Sequence, residues 1–177
     1  MRSPERRTPH PYTLEEVASM AKEAALTHGG HVPVIIIEGG SRSVVGQIAN
    51  LPRTHAGRLK ILFAAGAALA QSGDVATLRQ VFFISEGWMS SAKKGGTIEV
   101  PPSQDPNRKE VLIISSSSDV HARRASLVVF EMLRDGAGQL VELEQLHTVE
   151  DEDLRVASPL LNAFVEGFRL EMRSKLN

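Results

Sequence analysis

The alternation of apolar and polar positions divides the chain into three helical and six extended segments. The first helix is predicted to begin after Thr13, because Thr13 and Glu16 have the spacing of a capping box ahead of an apolar stripe. Val32–Glu38 is continuously apolar and β-branched, which is typical of a strand covered on both faces. The turn at Gly39 and Gly40 precedes another short apolar stretch, so we expect two strands joined as a hairpin.

The second helix is predicted to run from a cap at Thr54 to a stop at Gly73. Its run of small residues, AAGAA, permits close approach to a sheet or to another helix. The large residues that we expect to face inward are Leu59, Leu62, Phe63 and Leu69.

Four consecutive strands are predicted in the C-terminal half. The strands over 110–116 and 124–134 are apolar on both sides and are expected to be central, with a serine-rich turn between them. The sequence DGAG predicts a hairpin into a last strand over 139–149, whose alternating charges are typical of a strand nearer an edge.

A solvated acidic linker is expected over Glu150–Asp153, followed by a final helix. Ser158 is predicted to cap this helix, and Pro159 suits its first turn. An exposed apolar face around Leu170 and Met172 would indicate a structural subunit of a larger assembly.

The resulting order is α-β-β-α-β-β-β-β-α, which excludes a doubly wound parallel sheet. We predict an α+β fold with a single mostly antiparallel or mixed sheet of about five to six strands flanked by helices. Residues 1–12, rich in proline and arginine, are predicted to be a flexible tail, and residues 13–177 a single domain. This element order resembles the profilin-like and Roadblock or longin group, whose members are often dimeric interaction modules. The likeness is one of topology, and it implies a homodimer.

Composition narrows the classes of function. With 20 basic and 21 acidic residues the net charge is −1, and aromatic residues make up 5% of the chain. Neither value suits a nucleic-acid surface. The chain contains no cysteine, which excludes disulfides and thiolate-bound metals. No apolar run reaches the ~18–20 residues of a membrane span. We therefore expect a cytoplasmic protein that binds neither nucleic acid nor membrane.

Two short motifs carry residue types found in ligand sites, but both are predicted to be structural. His28, His31 and Glu38 are ligand types suited to zinc, but the histidines straddle a glycine turn instead of sharing one helix face. The glycine-rich turn after the first strand leads into β-branched valines, whereas a phosphate-binding loop opens a helix. We therefore predict no metal and no cofactor.

The connection from Ser85 to Glu110 is the strongest candidate site, because long connections within a compact domain are usually functional or disordered. It holds the only tryptophan of the chain, two consecutive prolines and a turn sequence. Trp88 is predicted to act as an apolar anchor and Arg108 as a bidentate donor to carboxylate or phosphate, with Glu86 and Asp105 orienting it. In the structural alternative, Trp88 fills the edge of the core, and Asp105 and Arg108 only fix a turn.

The function that we predict is binding, by a homodimeric module whose ligand or partner surface includes this connection. Self-association and a small-molecule ligand are the expected partners. The alternative is an acid–base enzyme that uses Glu86 in a pocket closed by the same connection. Burial beside Trp88 would raise the pKa of Glu86 for that role, whereas pairing with Arg108 or Lys109 would keep it ionised.

Overall fold

The computed structural model describes residues 11–40, 42–90, 100–119 and 123–175, and for residues 118 and 119 the backbone alone. Most of the expected tail over 1–12 therefore lies outside the described residues. The elements in chain order are α1 (Leu14–His28), β1 (Val34–Gly39), β2 (Ser43–Gln47), α2 (His55–Ser72), β3 (Leu78–Met89), a 3₁₀ helix (Pro102–Gln104), β4 (Lys109–Asp119), β5 (Arg124–Arg134), β6 (Leu140–Asp153), α3 (Leu154–Ala157) and α4 (Pro159–Ser174).

The six strands form one antiparallel sheet in the order β2-β1-β3-β4-β5-β6. The predicted α+β class and the predicted order of elements along the chain are confirmed. Strands β4 and β5 are interior, as their apolar patterns indicated, and β6 lies at an edge. None of the helices in the described ranges combines the length and the apolarity needed to cross a bilayer.

Helix α1 packs on one face of the sheet. The capping box forms as predicted: the Thr13 hydroxyl accepts the Glu16 amide at 3.1 Å, and the Thr13 amide donates to the Glu16 carboxylate at 2.7 Å. Gly29 ends the helix in the left-handed conformation, with φ of 73°. The buried stripe of the helix packs against a cluster of large apolar residues from five strands, β1 and β3 to β6. They include Ile36, Phe82, Ile84, Leu112, Ile114, Val128 and Phe130.

Helices α2 and α4 cover the opposite face, and they meet backbone to backbone. A Cβ atom added at Gly66 would lie 2.0 Å from the Phe164 carbonyl oxygen, and one at Gly167 would lie 2.0 Å from that of Phe63. The close approach that the small residues permitted is therefore observed. Phe63 itself is 37% exposed, so the expectation that it faces inward is wrong. The backbone carbonyl of Phe63 lies against Gly167 of α4.

The serine-rich stretch after the apolar part of β4 continues the strand, so the turn expected from residue 116 onward is wrong in its first part. Ser115, Ser116 and Ser117 are buried. Each hydroxyl donates to a backbone carbonyl of a neighbouring strand, at 3.3, 3.4 and 2.9 Å respectively. Buried polar groups are tolerated when hydrogen-bonded in this way, and sequence pattern does not reveal such partners.

The acidic segment Glu150–Asp153 belongs to β6 instead of forming a solvated linker. It pairs with the start of β5, where Arg124 donates to the Asp151 carboxylate at 2.7 Å. Asp153 then caps the short helix α3, which was not predicted. Hydrogen bonds from the side chain and the backbone of Arg155 lower the pKa of Asp153 to about 2.

The start of α4 is only partly as expected. Pro159 occupies the first turn, but the Ser158 hydroxyl makes no capping hydrogen bond and donates instead to the Ser115 hydroxyl at 2.9 Å. At the other end of α4, Leu170 is exposed, whereas Met172 packs against the core. The apolar face proposed around these two residues is therefore reduced to Leu170.

Replacing Gly66 with alanine tests the helix contact. Alanine is otherwise the better helix former by roughly 1 kcal/mol. Here its methyl group would meet a backbone carbonyl, so we expect the free energy of unfolding to fall by about 2 kcal/mol. Urea denaturation measures this, with Ala68→Gly at an exposed position of α2 as the propensity control. A more stable Gly66→Ala variant would contradict the contact.

Candidate functional site

Trp88 lies near the end of β3, opposite Glu110 of β4, and its side chain is 46% exposed. The alternation of the strand places it on the α1 side of the sheet, beyond the last turn of that helix. The Arg108 guanidinium carbon lies 4.5 Å from the centre of the indole ring. The structural alternative, in which Trp88 fills the edge of the core, is therefore not what the geometry shows.

A short turn holds Arg108 above the indole ring. The Asp105 carboxylate accepts the Asn107 amide at 2.8 Å, and the Asp105 carbonyl accepts the Arg108 amide at 3.2 Å. The Arg108 guanidinium donates to the same carbonyl at 3.2 Å. The Ser90 hydroxyl, the Asn107 amide and the charge of Arg108 hold the pKa of Asp105 below its usual value. The predicted proline turn thus forms, and it orients Arg108.

Arg108 has no carboxylate partner in the described part of the chain, although neighbouring cations do. Lys109 pairs with Glu131 at 2.6 Å, and Arg134 pairs with Glu110. Arg108 therefore keeps the hydrogen-bonding capacity that its carbonyl contact leaves unused. Stacked on Trp88, it forms an exposed cation–aromatic pair, which we call the Trp88–Arg108 pair.

Glu86 does not join this pair, although it lies on the same strand. Its carboxylate accepts the backbone amide of His31, in the loop between α1 and β1. A Cβ atom added at Gly30 would lie 3.0 Å from the same carboxylate oxygen. Neither Arg108 nor Lys109 pairs with Glu86, so Glu86 does not orient Arg108 as predicted. Hydrogen bonds to Glu110 are the main cause of the raised pKa of Arg134, and the charge of Glu86 contributes a smaller part. Glu86 thus holds the loop that follows α1.

An ion pair between Arg134 and Glu110 lies beside the candidate site, and it was not predicted from the sequence. Arg134 donates two hydrogen bonds to Glu110, at 2.7 and 2.8 Å, and these bonds are the main reason that its pKa is raised. It also donates to the carbonyls of Gly29 at 3.1 Å and Gly138 at 3.2 Å. This bidentate pair depends on strand register, which sequence pattern alone does not define.

The structure thus brings together three of the four predicted site residues, Trp88, Asp105 and Arg108. Residues 91–99 of the same connection, including the basic stretch, lie outside the described residues. Among the described residues, no group of three or more His, Cys, Asp or Glu side chains is arranged to hold a metal ion.

Comparison with known proteins identifies no relative: no family model, no curated protein and no solved structure matches this chain. The topological likeness to the profilin-like and Roadblock or longin group therefore stays a prediction. What the structure defines is the class of fold, an α+β protein with one antiparallel sheet between helices.

Proposed function

We propose that this protein is a homodimeric binding module that recognises an acidic segment of a partner protein through the Trp88–Arg108 pair. The observation that carries the proposal is the exposed indole with a guanidinium stacked 4.5 Å above it and no carboxylate paired to that guanidinium among the described residues. Tryptophan and arginine are among the residue types most enriched where interfaces concentrate their binding energy.

The chemistry of the pair favours a carboxylate next to an apolar group. A guanidinium stacked on an aromatic ring presents its N–H groups at the edge, where two of them can bind both oxygens of a carboxylate. The Asp105 carbonyl holds the guanidinium in place, so less side-chain entropy is lost on binding. The exposed part of the indole then contacts an apolar side chain of the partner.

The two edges of the sheet support self-association through β2. The edge strand β6 carries many carboxylates and three register shifts, features that discourage pairing with another chain. Strand β2 (Ser43–Gln47) has no charged residue, and Val45 is 67% exposed. No other strand pairs with its outer side in the part of the chain that the structure describes. An antiparallel β2–β2 contact between two copies would extend the sheet.

The acid–base alternative gains no comparable support. The Glu86 carboxylate accepts the His31 amide and packs against Gly30, so it serves the loop after α1. Enzymatic turnover at Glu86 is therefore not proposed.

An acidic peptide tests the partner surface. The probe is an acetylated peptide of one phenylalanine and three glutamates, and Trp88, the only tryptophan, reports its binding by fluorescence. We expect the Kd to rise about fivefold in Arg108→Gln, because a charge-assisted hydrogen bond at an exposed site contributes about 1 kcal/mol.

The matched control is Arg79→Gln, an exposed arginine near the other end of β3. This variant should leave the Kd unchanged. A peptide in which glutamines replace the glutamates should give no fluorescence response. An equal rise of the Kd in both arginine variants would show that the peptide binds by nonspecific charge attraction. A wild-type protein that ignores the peptide would contradict the proposed partner class.

Native mass spectrometry tests the homodimer. We expect a dimer mass for the wild type and a monomer for Val45→Lys, because two like charges would face each other across the paired edges. Val141→Lys, at an exposed valine of β6, is the control and should remain dimeric. A monomeric wild type would refute the homodimer, and a dimeric Val45→Lys would refute the β2 contact.

A further inference from the structure

In the described part of the chain, one 15-residue helix covers one face of a six-stranded sheet, and it leaves part of that face open. The helix is roughly 22 Å long, and the outermost strands lie roughly 24 Å apart, so complete cover would need a second helix. Helix α1 crosses the face diagonally. Its start lies beside Glu38 of β1, and its end lies beside Arg134 of β5. Beside the first half of α1, the side chains of Gln145, Thr148 and Glu150 on β6 stay exposed, and Val128 and Phe130 of β5 lie buried next to them.

This open area is a cavity of about 990 Å³, which we call the α1 groove. Its floor is formed by apolar and polar residues of the sheet. Val128 and Phe130 are the apolar residues, and Ser116 and Ser126 lie beside them. A cavity of this size is at the upper end of the range of small-molecule sites, which combine an apolar floor with a few polar groups.

The helix wall of the groove presents Glu15, Ser19 and Lys22, which follow one another at helical spacing and share one face. The opposite wall is formed by β6, where the Gln145 amide donates to the Thr148 hydroxyl at 2.9 Å. The groove therefore has hydrogen-bonding groups on both walls above an apolar floor. Its interior suits a ligand with an apolar body and a polar end.

Lys22 determines which polar end fits. Its ammonium nitrogen lies 4.8 Å from the centre of the Phe130 ring, and the residue is half-buried. Within the described ranges it forms no ion pair with any carboxylate. A half-buried cation at an apolar floor, without an anion of its own, is a position for a ligand anion.

The other charges of the groove are placed away from this position or are already paired. Glu15 lies two helical turns before Lys22, about 10 Å along the axis. Glu150 lies five residues beyond Gln145, the partner of Phe130 in the sheet, which is roughly 15 Å along β6. Arg124 is paired with Asp151. Among the described residues of the groove, the unpaired cation that an anionic group can contact is therefore Lys22.

We propose that the α1 groove binds a small organic monoanion whose oxyanion head contacts Lys22 and whose apolar body lies on Val128 and Phe130. This site is separate from the Trp88–Arg108 pair, which lies beyond the opposite end of α1, and its test does not depend on the proposed partner binding. The carboxylates at the far end of the groove disfavour a ligand with a second anionic group.

Two dyes of similar shape test the head and the body of the ligand separately. The anionic probe is 8-anilino-1-naphthalenesulfonate, and the neutral probe is N-phenyl-1-naphthylamine, which lacks the sulfonate. In Lys22→Gln we expect the Kd of the anionic dye to rise about tenfold, because a half-buried charge-assisted hydrogen bond is lost, while that of the neutral dye stays within about twofold. Glutamine is a good helix former, so α1 should remain intact, as circular dichroism will verify.

Two further variants locate the binding. Thr148→Phe, at an exposed position of the β6 wall, should weaken both dyes because it fills the groove. Lys60→Gln, in a separate cavity between α2 and α4, should weaken neither. The proposal is overturned if the wild type binds neither dye, if Lys22→Gln leaves the anionic dye unchanged or weakens both dyes equally, or if Lys60→Gln has the larger effect.

Discussion

The arrangement of the α1 face depends on how the two ends of this helix are attached to the sheet. Before the helix, the Tyr12 amide donates to the Glu38 carboxylate at 2.8 Å, and after it the His31 amide donates to Glu86. Arg134 adds a hydrogen bond to the Gly29 carbonyl. These contacts join the helix to β1, β3 and β5, and they set its diagonal course. A buried carboxylate such as that of Glu38 requires a hydrogen-bond donor. The attachment of the helix therefore also provides the hydrogen bond that this carboxylate needs.

The two faces of the sheet consequently differ in what they offer to other molecules. On one face, the contact of Gly66 and Gly167 brings two helices together and closes the core. On the other, α1 alone leaves the α1 groove beside its first half and the Trp88–Arg108 pair beyond its last turn. Both proposed sites are therefore consequences of covering a six-stranded sheet with one helix.

Sequence pattern predicted the elements well where local chemistry decides them. The capping box at Thr13, the stop at Gly73 and the proline turn at Asp105 each depend on residues within four positions of one another. Contacts between distant residues were not predictable from the pattern. Glu86 was predicted to act at the site because its hydrogen-bond donor, the His31 amide, lies 55 residues away in the sequence and could not be foreseen.

The same reason explains why the groove was missed. Lys22 has the pattern of an ordinary surface lysine on an amphipathic helix, and only the sheet shows that it lies over Phe130. Likewise the buried serines of β4 depend on partners in β3 and β5, and the acidic end of β6 depends on partners in β5. Strand order and register supply these partners, and alternation of residues along one strand does not specify either.

Amide hydrogen exchange at His31 tests the attachment of α1 most directly. In the wild type we predict that this amide is protected, and that it exchanges at least about tenfold faster in Glu86→Ala, while the amides of the central β3–β4 pairs keep their protection. A His31 amide that already exchanges at the rate of an unprotected peptide in the wild type would contradict the account. The helix would then not be held by Glu86, and its diagonal course would need another cause.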